Sequence, residues 1–266
     1  MALKSFGELF NEAFNAYKKH FSLFLKVSFI LYFIPTLIFG GVYVWYAITN
    51  PDNTLMIELL DNISGIVSAI FSMLLTFTVI KILLVKRTKQ ELSVGEALIE
   101  GSKHFGEGIL LSIILSIALL FLYVLLIIPG IIFSIYWAFA YYALITDNVG
   151  FTKAMSHSKD LVKGRWWTVF GYNLLQGLIV GGVSMIILVP VYIITIILGV
   201  FANNLHLMAA ITLIMTALVQ MIILPFSLTF MEKFYLSLKE STPSVESTAE
   251  VKPEQPTVEK APEPAA

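Results

Sequence analysis

The chain has 266 residues, of which 58% are hydrophobic and only 13% charged, and its mean hydropathy is +0.84. In soluble domains about a quarter of the residues are charged, so this low charged fraction excludes a globular domain whose whole surface faces water. A formal net charge of -1 argues against a nucleic-acid partner, since a phosphate backbone calls for a clustered basic excess. The sequence contains no cysteine, which excludes disulfides, a thiolate nucleophile and thiolate metal ligands.

Six apolar segments are long enough to cross a membrane, since a helix covers about 30 Å of hydrocarbon with about 20 residues. We predict an all-α polytopic protein with six transmembrane helices at residues 21–48, 63–85, 109–128, 131–146, 167–189 and 207–231. Pro129-Gly130 predicts a break between the third and fourth helices, which then form a hairpin. The fifth run continues beyond Pro190, where we expect a kink or a turn along the membrane surface, and the path of residues 190–203 stays open.

The distribution of charge predicts how these helices are oriented. With six spans, all 17 lysine and arginine residues fall on one side, whereas the loops on the other side carry only Asp52, Glu58 and Asp61 as charges. Cytoplasmic loops of membrane proteins are enriched in lysine and arginine. We therefore predict a multi-pass protein of the cell membrane with both termini in the cytoplasm.

Three segments on the basic side are typical of amphipathic helices. Ser5 followed by Glu8, and Ser93 followed by Glu96, are capping boxes that start a helix. A third segment, after Asp147-Asn148, carries a looser apolar stripe. We expect each helix to lie in the membrane interface on the cytoplasmic side, with its apolar face towards the lipid, and to turn into a span. Since each is followed by two spans, the order predicts a pseudo-threefold repeat, an arrangement found in transporters and in membrane scaffolds.

The third of these segments carries the main candidates for contact with lipid headgroups. A cationic stretch ends in two tryptophans and then becomes apolar, which is the order of headgroup, interface and hydrocarbon across a membrane. We assign to this junction Lys153, Lys159, Lys163, Arg165, Trp166 and Trp167, and to the other two segments Lys18, Lys19 and Lys103. The predicted partners are membrane lipids, anionic ones above all, and an unidentified membrane or cytoplasmic protein.

Few polar side chains lie within the apolar runs. Asn173, Gln176 and Gln220 either line a polar path or form hydrogen bonds between helices, and the second interpretation is favoured. Gly177 and Gly181 form a G-x-x-x-G pattern that permits close helix packing, and a homo-oligomer is one interpretation of it.

The end of the chain differs in composition from the rest. From Glu240 the sequence is rich in Pro, Glu, Thr, Ser and Ala and has no aromatic residue, so it cannot bury a core. We predict an integral membrane domain at residues 1–239 and a disordered cytoplasmic tail at residues 240–266.

A long central stretch resembles a known family. Pro129-Gly130, the aromatic-rich span after it, residues 154–158 and KGRWW at residues 163–167 resemble the membrane domain attached to some bacterial glycerophosphoryl diester phosphodiesterases and related uncharacterised prokaryotic membrane proteins. The N-terminal segment FGELFNEAFNAYKKHF is also similar to that family, so the resemblance covers residues 5–238. In the fused enzymes a separate soluble barrel carries catalysis. The resemblance therefore implies a membrane module and not a phosphodiesterase.

The sequence lacks the motifs of several common enzyme classes. It contains no phosphate-binding P-loop, no G-x-S-x-G and no H-E-x-x-H, so we predict no catalytic residue, no cofactor and no metal site. Convergence of His20, His104 and His157 on a metal or phosphate is a minor alternative to three separate interfacial histidines. We expect a non-enzymatic module that organises lipids or partner proteins at the cytoplasmic face. The alternatives are a small-molecule or lipid transporter and, third, an enzyme.

Overall fold

The computed structural model describes residues 2–87, 92–202 and 205–242, and all regular secondary structure in these ranges is helical. In chain order the elements are α1 (Phe6–Ser28), two π-helical turns (Phe29–Phe33 and Thr36–Gly40), α2 (Gly41–Thr49), α3 (Thr54–Arg87), α4 (Val94–Ser102), α5 (Phe105–Leu125), α6 (Ile127–Tyr136), α7 (Ala140–Thr146), α8 (Phe151–Val162), α9 (Trp166–Ala202) and α10 (Leu205–Ser241). Within the described residues, six segments are long and apolar enough to cross a membrane, namely α1 to α2, α3, α5, α6 to α7, α9 and α10. The prediction of an all-helical chain with six candidate spans is confirmed.

The first candidate span is continuous with the preceding helical segment, which we predict to be amphipathic. The capping box is present, since the Ser5 hydroxyl accepts from the Glu8 amide and the Glu8 carboxylate accepts from the Ser5 amide at 2.7 Å. No glycine or proline occurs between Gly7 and Pro35, so no helix-breaking residue separates the N-terminal segment from the candidate span. Pro35 itself lies between the two π-helical turns. The wider π-helical hydrogen-bond pattern leaves room for the proline ring, and no amide hydrogen is needed at this residue.

The break between the third and fourth spans lies earlier than we predicted. α5 ends at Leu125, and Leu126 is extended (φ -159°, ψ 128°), so the expected break at Pro129-Gly130 is wrong. Pro129 is instead the third residue of α6. The amides of the first helical turn have no intrahelical partner, so a proline there removes no hydrogen bond. The proline therefore belongs to the start of one helix and not to the end of the other.

The fourth span consists of two helices joined by a turn at residues 137–139. A serine of α8 stabilises this turn: the Ser158 hydroxyl donates to the Tyr136 carbonyl at 2.7 Å and accepts from the Phe139 amide at 3.1 Å. Ser158 is fully buried. In an unbroken helix, this carbonyl and this amide would each pair with a backbone group four residues away in the chain. Here the Ser158 hydroxyl replaces both backbone partners.

The two last spans are long helices that continue through their prolines. α9 continues through Pro190 as one helix, so the alternative of a turn at this residue is wrong, whereas a kink there stays a prediction, and α10 likewise continues through Pro225. A proline removes a single amide donor, a loss that long apolar helices tolerate. α10 also includes Glu240 and Ser241, which we had assigned to the tail. The rest of the predicted tail, from residue 243 onwards, lies outside the described residues.

α10 is the central helix, packed against α1 on one side and α9 on another. Its buried side chains Phe230, Phe234 and Tyr235 share one hydrophobic core with residues of α1, α3, α5, α7 and α9. The Tyr17 hydroxyl of α1 donates to the Ile222 carbonyl of α10 at 2.8 Å. The first and last spans are therefore neighbours in the bundle.

The three segments that we predict to be amphipathic each pack against a candidate span. α4 packs on α3, α8 on α7, and α1 on α10. Their buried positions include small residues, Ala97 in α4, Ala154 in α8 and Ala13 in α1, which allow close approach of the backbones. Protein therefore covers much of the apolar face that we expected to lie on lipid. The position of these helices relative to a membrane stays a prediction, as does the threefold repeat.

The contact between α4 and α3 depends on the absence of a side chain at Gly101. A Cβ there would lie 2.8 Å from the Thr78 Cα and 2.9 Å from the Thr78 nitrogen, whereas a Cβ at Gly95 meets nothing within 4 Å. We expect Gly101→Ala to lower the free energy of unfolding by about 1–3 kcal/mol through overpacking. The matched control Gly95→Ala should raise it by about 0.5–1 kcal/mol through helix propensity. Thermal unfolding of both purified variants measures the difference, and equal midpoints would show that this contact does not hold α4.

Candidate functional site

The predicted junction is built from the loops at the two ends of α8. Asn148 is left-handed (φ 51°), a conformation that asparagine tolerates better than most residues, and the extended Gly150 caps α8. After α8, Gly164 is also left-handed (φ 79°), so the chain turns directly into α9. Both turns lie beside the C-terminal end of α10, to which Asp147 and Arg165 form hydrogen bonds.

Asp147 is the centre of a polar cluster that joins α7, α8 and α10. Its carboxylate accepts from the Tyr235 hydroxyl at 2.7 Å and pairs with the Lys239 ammonium at 2.6 Å, and its Oδ2 lies 3.3 Å from the His157 Nδ1. The side chain is 12% exposed. Burial raises the pKa of this carboxyl, but hydrogen bonds from Lys239 and Tyr235 outweigh burial and hold the pKa below its ordinary value. The carboxylate is therefore ionised at neutral pH.

Arg165 links the start of α9 to the end of α10. Its guanidinium donates to the Leu238 carbonyl at 3.4 Å, to the Thr242 hydroxyl at 2.6 Å and to the Ser241 hydroxyl. It also reaches the Leu161 carbonyl at 3.1 Å. Carbonyls at a helix C-terminus lack intrahelical donors and carry partial negative charge, so a cation is favourable there. In this structure the Arg165 donors are directed to the protein.

The two tryptophans of the junction have different surroundings. The Trp166 indole donates to the Ile132 carbonyl of α6 at 3.1 Å and stacks on Phe170 with ring centroids 5.2 Å apart. Trp167 is 77% exposed. Trp166 therefore fixes α9 against α6, and Trp167 faces the surroundings of the protein.

Three lysines of the junction, Lys153, Lys159 and Lys163, remain available for contact with lipid headgroups, and we call them the α8 lysines. All three are exposed, and none has an ion pair with a described residue. The other predicted lysines, Lys18, Lys19 and Lys103, are also exposed. The Lys18 ammonium lies 4.8 Å from the centre of the Phe14 ring, and Lys103 is paired with Glu100. Three of the six predicted lysines, all of them exposed, thus lie on or beside α8.

The in-span polar candidates do not share one environment. Gln176 is buried and donates to the Ser227 hydroxyl of α10, which is the interhelical bond that we favoured from the sequence. The Asn173 Oδ1 is buried and accepts no hydrogen bond from the described residues. Gln220 is half-buried on α10. A continuous polar path through these three residues stays a prediction.

The three junction histidines contact different groups. His20 packs on Phe24, His104 lies 3.9 Å from Glu107, and His157 lies beside Asp147. Burial, together with the charge of Lys81, lowers the pKa of His104. Within the part of the chain that the structure describes, no group of three or more His, Asp or Glu side chains is arranged to hold a metal ion.

A groove of about 680 Å³ lies between α3 and α5, and Tyr141 of α7 contributes to its lining. This volume is within the range of small-molecule and lipid sites. Sequence reasoning missed the groove because its lining residues, such as Ile70 and Ile113, have the same apolar character as any lipid-facing position. The Asp147 cluster was missed for a different reason: Tyr235 and Lys239 are 88 and 92 residues away in the chain.

Comparison with known protein families identifies the family of this chain. A family model with the description "Domain of unknown function (DUF7847)" matches residues 63–238, which is more than half of the chain. The matched range includes both the α8 junction and the groove. No curated protein and no solved structure matches the chain. No finding links the chain to the phosphodiesterase membrane domains that its sequence resembles.

The Asp147 cluster should contribute to stability in a pH-dependent manner. We expect Asp147→Asn to lower the free energy of unfolding at pH 7 by about 1–3 kcal/mol, because it removes a charged acceptor shared by Tyr235 and Lys239. Since the folded-state pKa of Asp147 is depressed, this stabilisation is present above the ordinary carboxyl pKa of about 4 and is lost as the pH falls through the folded-state value. The difference in unfolding midpoint between wild type and variant should therefore shrink in acid. Asp160→Asn, at an exposed position of α8, is the matched control.

Proposed function

Because the chain belongs to this family of unknown function, we propose its role from its charged surface and its helices. It is a non-enzymatic integral membrane module that organises anionic lipids, and through them partner proteins, at its basic end. The basic end comprises the start of α1, the end of α3, α4, the α8 junction and the end of α10.

The exposure of the α8 lysines supports this proposal most directly. α8 buries Ala154, Ser158 and Val162 against the protein, and the Ser158 hydrogen bonds hold the helix in one orientation. Its lysines therefore point away from the core on a fixed scaffold. Trp167, exposed at the start of α9, has the side chain best suited to the boundary between headgroups and hydrocarbon.

The expected electrostatic attraction is sufficient for lipid selection. Near an anionic leaflet each basic residue contributes about 1 kcal/mol, and the attraction decays over a Debye length of about 8 Å at physiological salt. The α8 lysines lie on one short helix and its C-terminal turn, so their contributions act on the same patch of lipid. The selection should consequently weaken as salt is raised.

We also propose that the basic end is cytoplasmic and that the three units form a pseudo-threefold repeat. The orientation rests on the one-sided distribution of lysine and arginine. The repeat is supported by a shared packing order, because α4 and α8 each pack on the span before them and α1 packs on the last span, α10. This order is cyclic, as a threefold arrangement requires.

A lipid or small-molecule transporter is the second candidate, and the helix irregularity around Pro35 favours it. π-helical turns flank this proline, and such turns occur frequently at functional sites. Substrate-dependent flux into proteoliposomes would favour this candidate over a static module. Hydrolysis of glycerophosphodiesters by the purified chain would contradict a non-enzymatic role and would extend the sequence resemblance to catalysis.

The proposed orientation can be tested by cysteine labelling, since the natural chain has no cysteine. We expect a cysteine at Asn53 to react in intact cells with a thiol reagent that does not cross membranes, because the α2–α3 loop would be outside. A cysteine at the exposed Thr152 of α8 should react only after the membrane is permeabilised. The reverse pattern would contradict a cytoplasmic basic end.

Removal of the α8 lysines tests the proposed function. In full-length protein reconstituted in mixed bilayers, spin-labelled anionic lipid should associate with the wild type more strongly than zwitterionic lipid, and added salt should reduce the ratio. Changing Lys153, Lys159 and Lys163 together to Gln should remove most of the preference, because the attraction is the sum of their charges.

The matched control removes three charges from the opposite end of the protein, through Asp52→Asn, Glu58→Gln and Asp61→Asn. This variant should keep the lipid preference of the wild type, since no basic residue is changed. If the wild-type protein shows no preference for anionic lipid at low salt, the proposed electrostatic role is wrong.

A further inference from the structure

The groove lies between the candidate spans α3 and α5, with Tyr141 of a third candidate span in its lining, and its sides are open. Its α3 wall includes Ile66, Ile70 and Phe77, and its α5 wall includes Ile113 and Ile117. Ile66, Ile113 and Ile117 are each at least half exposed at the surface of the bundle. From Ile66 to Phe77 the α3 wall extends about 16 Å at 1.5 Å per residue. A hydrocarbon chain can therefore enter from the side and lie along the groove.

Three of the four hydroxyl groups that line the groove, those of Thr76, Ser112 and Tyr141, have hydrogen-bond partners within the protein, and the fourth, that of Ser116, is exposed. The Ser112 hydroxyl donates to the Gly108 carbonyl at 2.8 Å, so at 2.7 Å it accepts from the Tyr141 hydroxyl. The Thr76 hydroxyl donates to the Ser72 carbonyl at 2.9 Å. Because these donors already have acceptors, an apolar guest leaves no donor unpaired at these positions.

A glycine explains why the two helices meet at one end of the groove. A Cβ at Gly108 would collide with the Phe77 ring, so α5 approaches α3 closely only because this side chain is absent. Phe77 and Gly108 lie towards the basic end of their helices, and the groove extends from them towards the other end. The closed end of the groove is thus adjacent to the basic residues.

A group of ionisable side chains with a small positive net charge lies next to this closed end. Lys81 is one helical turn beyond Phe77 on α3, and its charge interacts with those of Lys103, His104 and Glu100. The Glu100 carboxylate is paired with Lys103 and also attracts Lys81, so these three side chains together carry one net positive charge beside the groove. A long apolar groove with an ammonium group at one end matches a molecule with an apolar chain and an anionic head.

We propose that this groove binds one acyl chain of an anionic glycerophospholipid whose headgroup lies at Lys81. The site is separate from the α8 lysines, although it rests on the membrane placement stated in the proposed function. Bulk lipid around the protein exchanges freely, whereas a chain held between α3 and α5 occupies a defined position and contacts defined residues.

Photocrosslinking tests this site in the full-length protein reconstituted in bilayers. The probe is a phospholipid with a diazirine in one acyl chain, used with either an anionic or a zwitterionic headgroup in a neutral matrix lipid. Mass spectrometry of the crosslinked peptides should locate the anionic probe on α3 and α5. Ala69→Trp and Ile117→Trp fill the groove from its two walls and should each remove most of these crosslinks, because the chain can no longer enter.

The matched control is Met185→Trp, at a similarly exposed position of α9 outside the groove, which should leave the crosslinks unchanged. Lys81→Gln should reduce the preference for the anionic probe about fivefold, the effect of one basic residue near a headgroup. The variant in which all three α8 lysines are changed to Gln should leave the groove crosslinks intact. The experiment on the α8 lysines and the experiment on the groove can therefore fail independently of each other. Thermal unfolding of each variant verifies that it is folded.

Two outcomes would overturn the proposal. Unchanged crosslinks in both groove-filling variants would show that the probe samples only bulk lipid around the bundle. Crosslinks that disappear on filling, but show no headgroup preference in wild type or in Lys81→Gln, would show that the groove does not select an anionic lipid.

Discussion

The fold depends on the requirement that backbone amides and carbonyls find partners inside the protein. Hydrocarbon offers no hydrogen bonds, so an apolar chain of this kind is helical wherever it crosses, and each helix end or break needs a substitute partner. Here polar side chains supply those partners. Ser5 and Ser93 cap helix starts, Ser158 bridges the turn between α6 and α7, and Arg165 covers carbonyls at the end of α10.

These same polar contacts determine the tertiary arrangement, because several join elements that are distant in the chain. The end of α10 receives Arg165 from the start of α9 and gives Tyr235 and Lys239 to Asp147 after α7. The Lys4 amide, just before α1, donates to the Ser237 hydroxyl of α10 at 3.1 Å. The last helix is therefore the element on which the first, fourth and fifth spans converge, and its buried aromatic residues form the core there.

The two proposed lipid contacts follow from what this packing leaves exposed. Once Ser158 and Ala154 hold one face of α8 against the bundle, the opposite face can only present its lysines outwards. At the other edge, the close approach of α5 to α3 at Gly108 produces the groove beyond it. Both surfaces lie on or next to the basic end, so one membrane leaflet would serve both.

The sequence by itself determined the helical class, the six candidate spans and the two capping boxes at Ser5 and Ser93, because these depend on local composition, periodicity and spacing. It misplaced the break near Pro129, since a proline is equally suited to ending one helix and starting the next. Only the tertiary structure decided that Arg165 bonds to α10 while the α8 lysines remain exposed. It alone brought Asp147 to Tyr235 and formed the groove, because these features depend on residues far apart in the chain whose contacts no local pattern encodes.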